Sequence, residues 1–162
     1  MFQRILVPLD GSRLSTQAVP YAVEIAKRFS AEVVLVRVIS PSGLAIVPQA
    51  TGMEAAVAND IIAQETRVKD VDNAANAKRY LVNWAQSIKS QGVKASFQVT
   101  VGAPAKSIME LVDSQWISLI VMMSHGRGWF KRALMGSVAD AILRGSNVPV
   151  LIIRPKEMAI SN

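Results

Sequence analysis

The sequence contains no cysteine and a single histidine, His125, among 162 residues. Disulfides, thiolate nucleophiles and Cys-ligated metals are therefore excluded, and one imidazole cannot build a clustered histidine metal site. Charge is sparse as well. Only 19% of residues are charged against 51% hydrophobic, which is too much buryable surface for intrinsic disorder. Long apolar runs are missing: Leu119-Ile120-Val121-Met122-Met123 falls far short of the ~18–20 residues that cross a bilayer, so no membrane span is expected. Met1-Phe2-Gln3-Arg4 leads directly into a β-like run without a signal-peptide pattern, and a cytoplasmic location is expected. Acidic residues are outnumbered 12 to 18, for a net charge of +6, a balance that favours anionic partners. The basic residues are scattered, and no helix-turn-helix, RNP or zinc-finger pattern accompanies them, so nucleic acid is not an expected partner.

What is present is a regular alternation. Segments 3–9, 32–39, 95–101, 117–123 and 148–153 are short and rich in Val, Ile and Leu, which reads as five strands. Their near-continuous apolar runs suit strands covered on both faces, while 95–101 alternates more and suits an edge. Helical spacing falls between them, at Ala18, Ala22, Ile25 and Phe29, at Leu81, Trp84, Ala85 and Ile88, at Ile108, Leu111 and Val112, and at Val138 and Ile142. The order βαβαβαβαβ predicts an open, doubly wound parallel α/β sheet of Rossmann-like type. A single domain over 1–156 with a tail at 157–162 accounts for the length. Pro20 forbids an unbroken first helix, so a late start near Ser15 or Thr16 is expected. A continuous helix over 54–91 would be about 57 Å long, against a domain radius of gyration near 15 Å, so it must break or project. Pro41, Gly43, Pro48 and Gly52 mark 41–53 as a loop.

In such a sheet, ligands bind beyond the carboxyl ends of the strands, where strand order reverses. The first strand ends in Val7-Pro8-Leu9-Asp10-Gly11-Ser12 and the fourth in Met123-Ser124-His125-Gly126-Arg127-Gly128, with Gly136-Ser137 opening the last helix. Small residues let backbone amides approach a ligand, and a helix N-terminus offers free N–H groups to an anion. Any one of these glycines could simply make a turn. Their concentration with Arg127, Lys131 and Arg132 between 126 and 137 favours an anion site. Neither a Walker A loop nor the complete dinucleotide fingerprint is present. Asp10 suits helix capping, a hydrogen bond from a ligand amine or ribose, or Mg²⁺ held through phosphates. His125 has no catalytic partner in sequence, and its plainer role is to position the loop. No catalytic residue and no protein metal ligand is therefore assigned. Trp84, Trp116 and Trp129 read most simply as core or interface residues.

The spacing Met123-x2-Gly126-x9-Gly136-Ser137 resembles the Gly-x2-Gly-x9-Gly-Ser/Thr motif of the universal stress protein family, with Met123 at the motif's first glycine. The resemblance covers nearly the whole chain. It includes Ile5-Leu6-Val7-Pro8-Leu9-Asp10-Gly11-Ser12, Ala103-Pro104-Ala105-Lys106, Ser124-His125-Gly126-Arg127 and Val148-Pro149-Val150-Leu151-Ile152-Ile153-Arg154. It implies strand order 3-2-1-4-5, a homodimer through the last strand at 148–153 and, in one subgroup, bound ATP or AMP. Carried across, it implies Pro8, Asp10 and Val38 around adenine, Gly126 and Arg127 near ribose and phosphates, and Gly136, Ser137 and Val138 on the phosphates. Met123 lies where the family's backbone passes close to the nucleotide. The expected function is a stress-related regulatory protein that binds an adenine nucleotide between strands 1 and 4. The alternatives are a nucleotide-free dimeric module acting on a protein partner, and a slow ATPase.

Overall fold

A computed structural model of the chain describes residues 1–40, 73–124 and 135–154. The expected loop at 41–53, the first part of 54–91, the Gly126-Arg127 run with His125, Trp129 and Lys131, and the 157–162 tail lie outside the described residues. The strands form where β-branched and leucine residues run together: β1 Arg4–Pro8, β2 Glu32–Ile39, β3 Lys94–Val101, β4 Leu119–Met123 and β5 Val150–Ile153. All ladders are parallel, and the order is β3-β2-β1-β4-β5. The edge expected for 95–101 is the one β3 occupies. α1 is Val19–Phe29, residues 73–89 are helical and are called α2, α3 is Pro104–Ser114 and α4 is Ser137–Gly145.

Alternation along each strand divides the core in two. Ile5, Val7, Val33, Leu35, Val121 and Met123 face α1 and α2, meeting Ala22, Val23, Leu81 and Ile88. Leu6, Val34, Val36, Ile120 and Met122 face α3 and α4, meeting Ile108, Leu111 and Ile142. This two-sided burial explains the near-continuous apolar runs of the inner strands. Trp84 packs against the first of these cores. Trp116 corrects the core half of the core-or-interface reading, because it is 84% exposed with φ of 55°.

Pro20 sits in the first turn of α1, where an N–H would have no helical partner and the fixed φ costs nothing. The α-helix begins later than the expected Ser15 or Thr16. Those residues instead form a separate 3-10 turn, Ser15–Ala18. At the amino ends of the strands, the Arg4 Nε lies 3.2 Å from Glu32, and the Arg4 guanidinium donates to the Gln115 carbonyl at 2.6 Å. Ser96 donates to Glu32, and Gln115 to Gln98. These bonds tie β1, β2, β3 and the end of α3 together on one face, far from the carboxyl ends.

Ile120, the second residue of β4, is fully buried. Ile120→Ala removes its methyl and methylene groups and leaves a cavity, so a loss of about 3–4 kcal/mol is expected. Urea denaturation followed by circular dichroism reads this as a lower midpoint at unchanged slope. A loss under about 1 kcal/mol would mean that β4 is not central to the core.

Candidate functional site

β1 is the strand at which the sheet changes direction. The chain leaves it through α1 to β2 on one side, and β4 pairs its other side, with Ile5 opposite Leu119 and Leu6 opposite Ile120. The two carboxyl ends lie side by side where the strand order reverses, the place at which such a sheet forms a crevice. A cavity of about 480 Å³ occupies it, within the range of small-molecule sites. Its walls include Pro8 at the end of β1 and Asp10 just beyond it, Val38 from β2, and Gly136, Ser137 and Val138 from the start of α4. Seven of the nine residues expected at the site, these six and Met123, therefore meet around one cavity. Gly126 and Arg127 are outside the described residues.

The Asp10 turn is built by a relay of short bonds. The Ser12 N–H and hydroxyl both donate to Asp10 Oδ1, at 2.9 and 2.6 Å. Ser12 Oγ accepts the Ser15 N–H at 3.1 Å, and the Ser15 hydroxyl donates to the Ser12 carbonyl at 2.9 Å. Asp10 thus secures the entry to the 3-10 turn through Ser12 rather than by capping α1 itself. Gly11, at φ of 83°, makes the bend between them.

The opposite wall is the start of α4. Gly136 is its N-cap in extended conformation, with no side-chain cap hydrogen bond. The Gly136 N–H donates to the Ser124 carbonyl at 2.7 Å, and the Ser124 N–H donates to the Ile153 carbonyl at 2.8 Å. These bonds fix the helix start against the ends of β4 and β5. The first N–H groups of a helix have no partner inside it, and here the residues that carry them border the cavity. Asp140 in the same turn would oppose an anion, but Arg144 pairs with it at 3.0 Å. The arrangement suits an anionic oxygen held by backbone amides.

Met123 lies at the junction of core and cavity. It is 4% exposed and belongs to the core on the α1 and α2 face, while also contributing to the cavity wall. The cavity persists beside it.

Arg37 was not singled out in the sequence, although a charged residue within Val36-Arg37-Val38 at a strand's carboxyl end is a signal. Its guanidinium lies 5.5 Å from the centre of the Tyr80 ring. Burial raises the Tyr80 phenol above its ordinary pKa, partly offset by Ser15, Trp84 and Arg37 nearby. Ser15 and Trp84 stand beside the buried hydroxyl without the geometry of a hydrogen bond. Among the described residues, no group of three His, Cys, Asp or Glu side chains is placed to hold a metal. No described helix is long and apolar enough to cross a membrane.

Comparison with known proteins adds the following. The model of the universal stress protein family matches residues 1–154. The universal stress protein MJ0531 of Methanocaldococcus jannaschii is 29% identical over 158 residues, covering 97% of this chain and 85% of its own. Universal stress protein UspA from Lactobacillus plantarum superposes with a TM-score of 0.74 at 23% identity, over 94% of this chain and 98% of its own. A universal stress protein solved in complex with cAMP gives a TM-score of 0.59 at 23% identity, over 94% and 97% of the two chains. An Arabidopsis thaliana member solved with AMP bound gives 0.59 at 17%, over 96% and 93%.

Gly11→Ala would place a side chain in left-handed backbone, which costs roughly 1–2 kcal/mol. Thermal or urea unfolding should show that loss with the sheet's circular dichroism intact. An unchanged midpoint would mean that the bend tolerates a Cβ.

Proposed function

Because this chain belongs to the universal stress protein family, we propose that it is a regulatory protein that binds an adenine nucleotide, ATP or AMP, in the cavity between β1 and β4. The observation that carries this is the junction of two features at one crevice: the amide-rich start of α4 without a side-chain cap, and the Asp10 turn across from it. Gly136, Ser137 and Val138 would receive the phosphates through backbone N–H groups and the positive end of the helix dipole. Pro8, Asp10 and Val38 would surround the base and ribose, with Asp10 accepting a hydrogen bond from a ligand amine or hydroxyl. Gly126 and Arg127 complete the phosphate side in this reading, and Mg²⁺ would be held through the phosphates. The two relatives solved with cAMP and with AMP support the adenine assignment.

Isothermal titration of the purified full chain with ATP and AMP, each with Mg²⁺, tests the reading. Micromolar binding, about −8 kcal/mol, is expected. Absence of heat from both nucleotides at millimolar concentration would reject it.

A second reading concerns assembly. β5 ends the sheet, and its Val150-Leu151-Ile152-Ile153 run is only partly buried, with Leu151 36% exposed. An apolar edge strand is a template for pairing, and a second copy meeting it across a two-fold axis would cover it. Such a dimer could also serve a protein partner without nucleotide. Sedimentation equilibrium should give twice the 17.5 kDa chain mass, and Leu151→Lys should shift the population toward monomer. A monomeric wild type at tens of micromolar would exclude the dimer, and nucleotide retained through native purification would exclude the nucleotide-free module.

A further inference from the structure

We infer that Arg37 is the positioning residue of this site: its guanidinium, laid between the Gly11 backbone and the Tyr80 ring, holds the Asp10-Gly11-Ser12 turn at the rim of the cavity. The register brings it there. β1 and β2 are paired up to Pro8 opposite Val36, and the Leu9 N–H still donates to the Val36 carbonyl at 2.8 Å. Arg37 is therefore the next residue along, beside the point where β1 turns away. Strand alternation directs it to the face of Leu35 rather than that of Val36, toward α2 and Tyr80.

Gly11 provides the seat. A Cβ at that position would lie 2.7–2.9 Å from the Arg37 Nη1, Cζ and Nη2 atoms, so the guanidinium occupies the space that any other residue's side chain would need. The Tyr80 ring lies 5.5 Å away, a distance at which an arginine is attracted to the ring's π face. Among the described residues, no carboxylate lies within 4.0 Å of Arg37, while Arg4, Lys27, Lys106 and Arg144 all have one. Shape suits the placement: a flat, weakly hydrated group can stack on the ring while filling the space beside Gly11, which the ammonium of lysine cannot imitate. A turn held in this way keeps Asp10 at one place in the cavity wall. Its consequence for ligand affinity rests on the nucleotide reading above, whereas its consequence for the turn does not.

The experiment uses the full chain with Arg37→Ala and Arg37→Lys. Hydrogen exchange in the ligand-free protein is read at the Ser12 and Ser15 amides, both held by side-chain acceptors within the turn. Both variants should exchange about tenfold faster there, with β1 and β4 amides unchanged. Wild-type rates at these two amides, or full restoration by lysine, would overturn the inference. In titrations, Arg37→Ala should weaken ATP and AMP by the same factor, about five- to tenfold. In an Asp10→Asn background that loss should shrink to under twofold, since a residue acting through Asp10 has nothing left to position. A much larger loss for ATP than for AMP would instead identify a direct phosphate contact and overturn the positioning role. Should the wild type bind neither nucleotide, the proposed function fails while the exchange measurement still decides the role of Arg37.

Discussion

A parallel sheet buried on both faces has one place where it cannot be closed, and the site depends on that constraint. Each crossover helix covers the strand ends on its own side. At β1 the chain departs toward β2, while β4 pairs the far side, and α1 and α4 pack on opposite faces of the sheet. The core makes this arrangement durable. Ile5, Val7, Leu6 and Ile120, among the most buried residues, fix the two strands side by side, and full burial of each such side chain contributes about 1.5–3 kcal/mol. Among the described residues, the crevice is therefore a property of topology and core together.

What occupies the rim is chosen by backbone geometry. Gly11 turns the chain in the left-handed region, and Gly136 starts α4 in extended conformation without a side-chain cap. In both places the polar groups offered are mostly main-chain N–H, or side chains held by short local bonds such as Ser12 on Asp10. Groups fixed in this way lose little conformational entropy when a ligand arrives, which favours binding by a preformed site over one assembled from long side chains.

This division explains what was legible in the sequence. Strand existence and the parallel sheet followed from apolar runs and turn residues, because two-sided burial leaves continuous apolar segments; the edge position of β3 followed from its alternation, and the strand order from the family resemblance. The boundaries were less accurate. Strands expected at 117–123 and 148–153 begin two residues later, at Leu119 and Val150, since Ser118 and Pro149 leave the ladder to bond across its end. Pro20 signalled a late helix but could not show that Ser15–Ala18 would form a tighter turn of its own. The small, polar strand ends made the loops after β1 and β4 legible, whereas Val38, Met123 and Val138 came from the family resemblance. Arg37 was not legible, because its meaning lies in its fit against Gly11 and Tyr80, residues 26 and 43 positions away. That fit exists only once β2 is registered on β1 and α2 is packed beneath them.

Met123 shows how one residue can serve the core and the cavity wall at once. A glycine before a phosphate loop matters when a Cβ would strike the ligand. A residue at the end of a strand, however, directs its side chain to one face of the sheet and its backbone to the strand tip. Met123 belongs to the core beneath α1 and α2 with Val121 and Leu9, and a flexible thioether adapts readily to such packing. Its bulk is thus absorbed largely by the interior, while the main chain that continues to Ser124 still accepts the Gly136 N–H. The two demands fall on different atoms of one residue. The sequence pattern can lose a glycine at this point and the cavity at the strand tips remains.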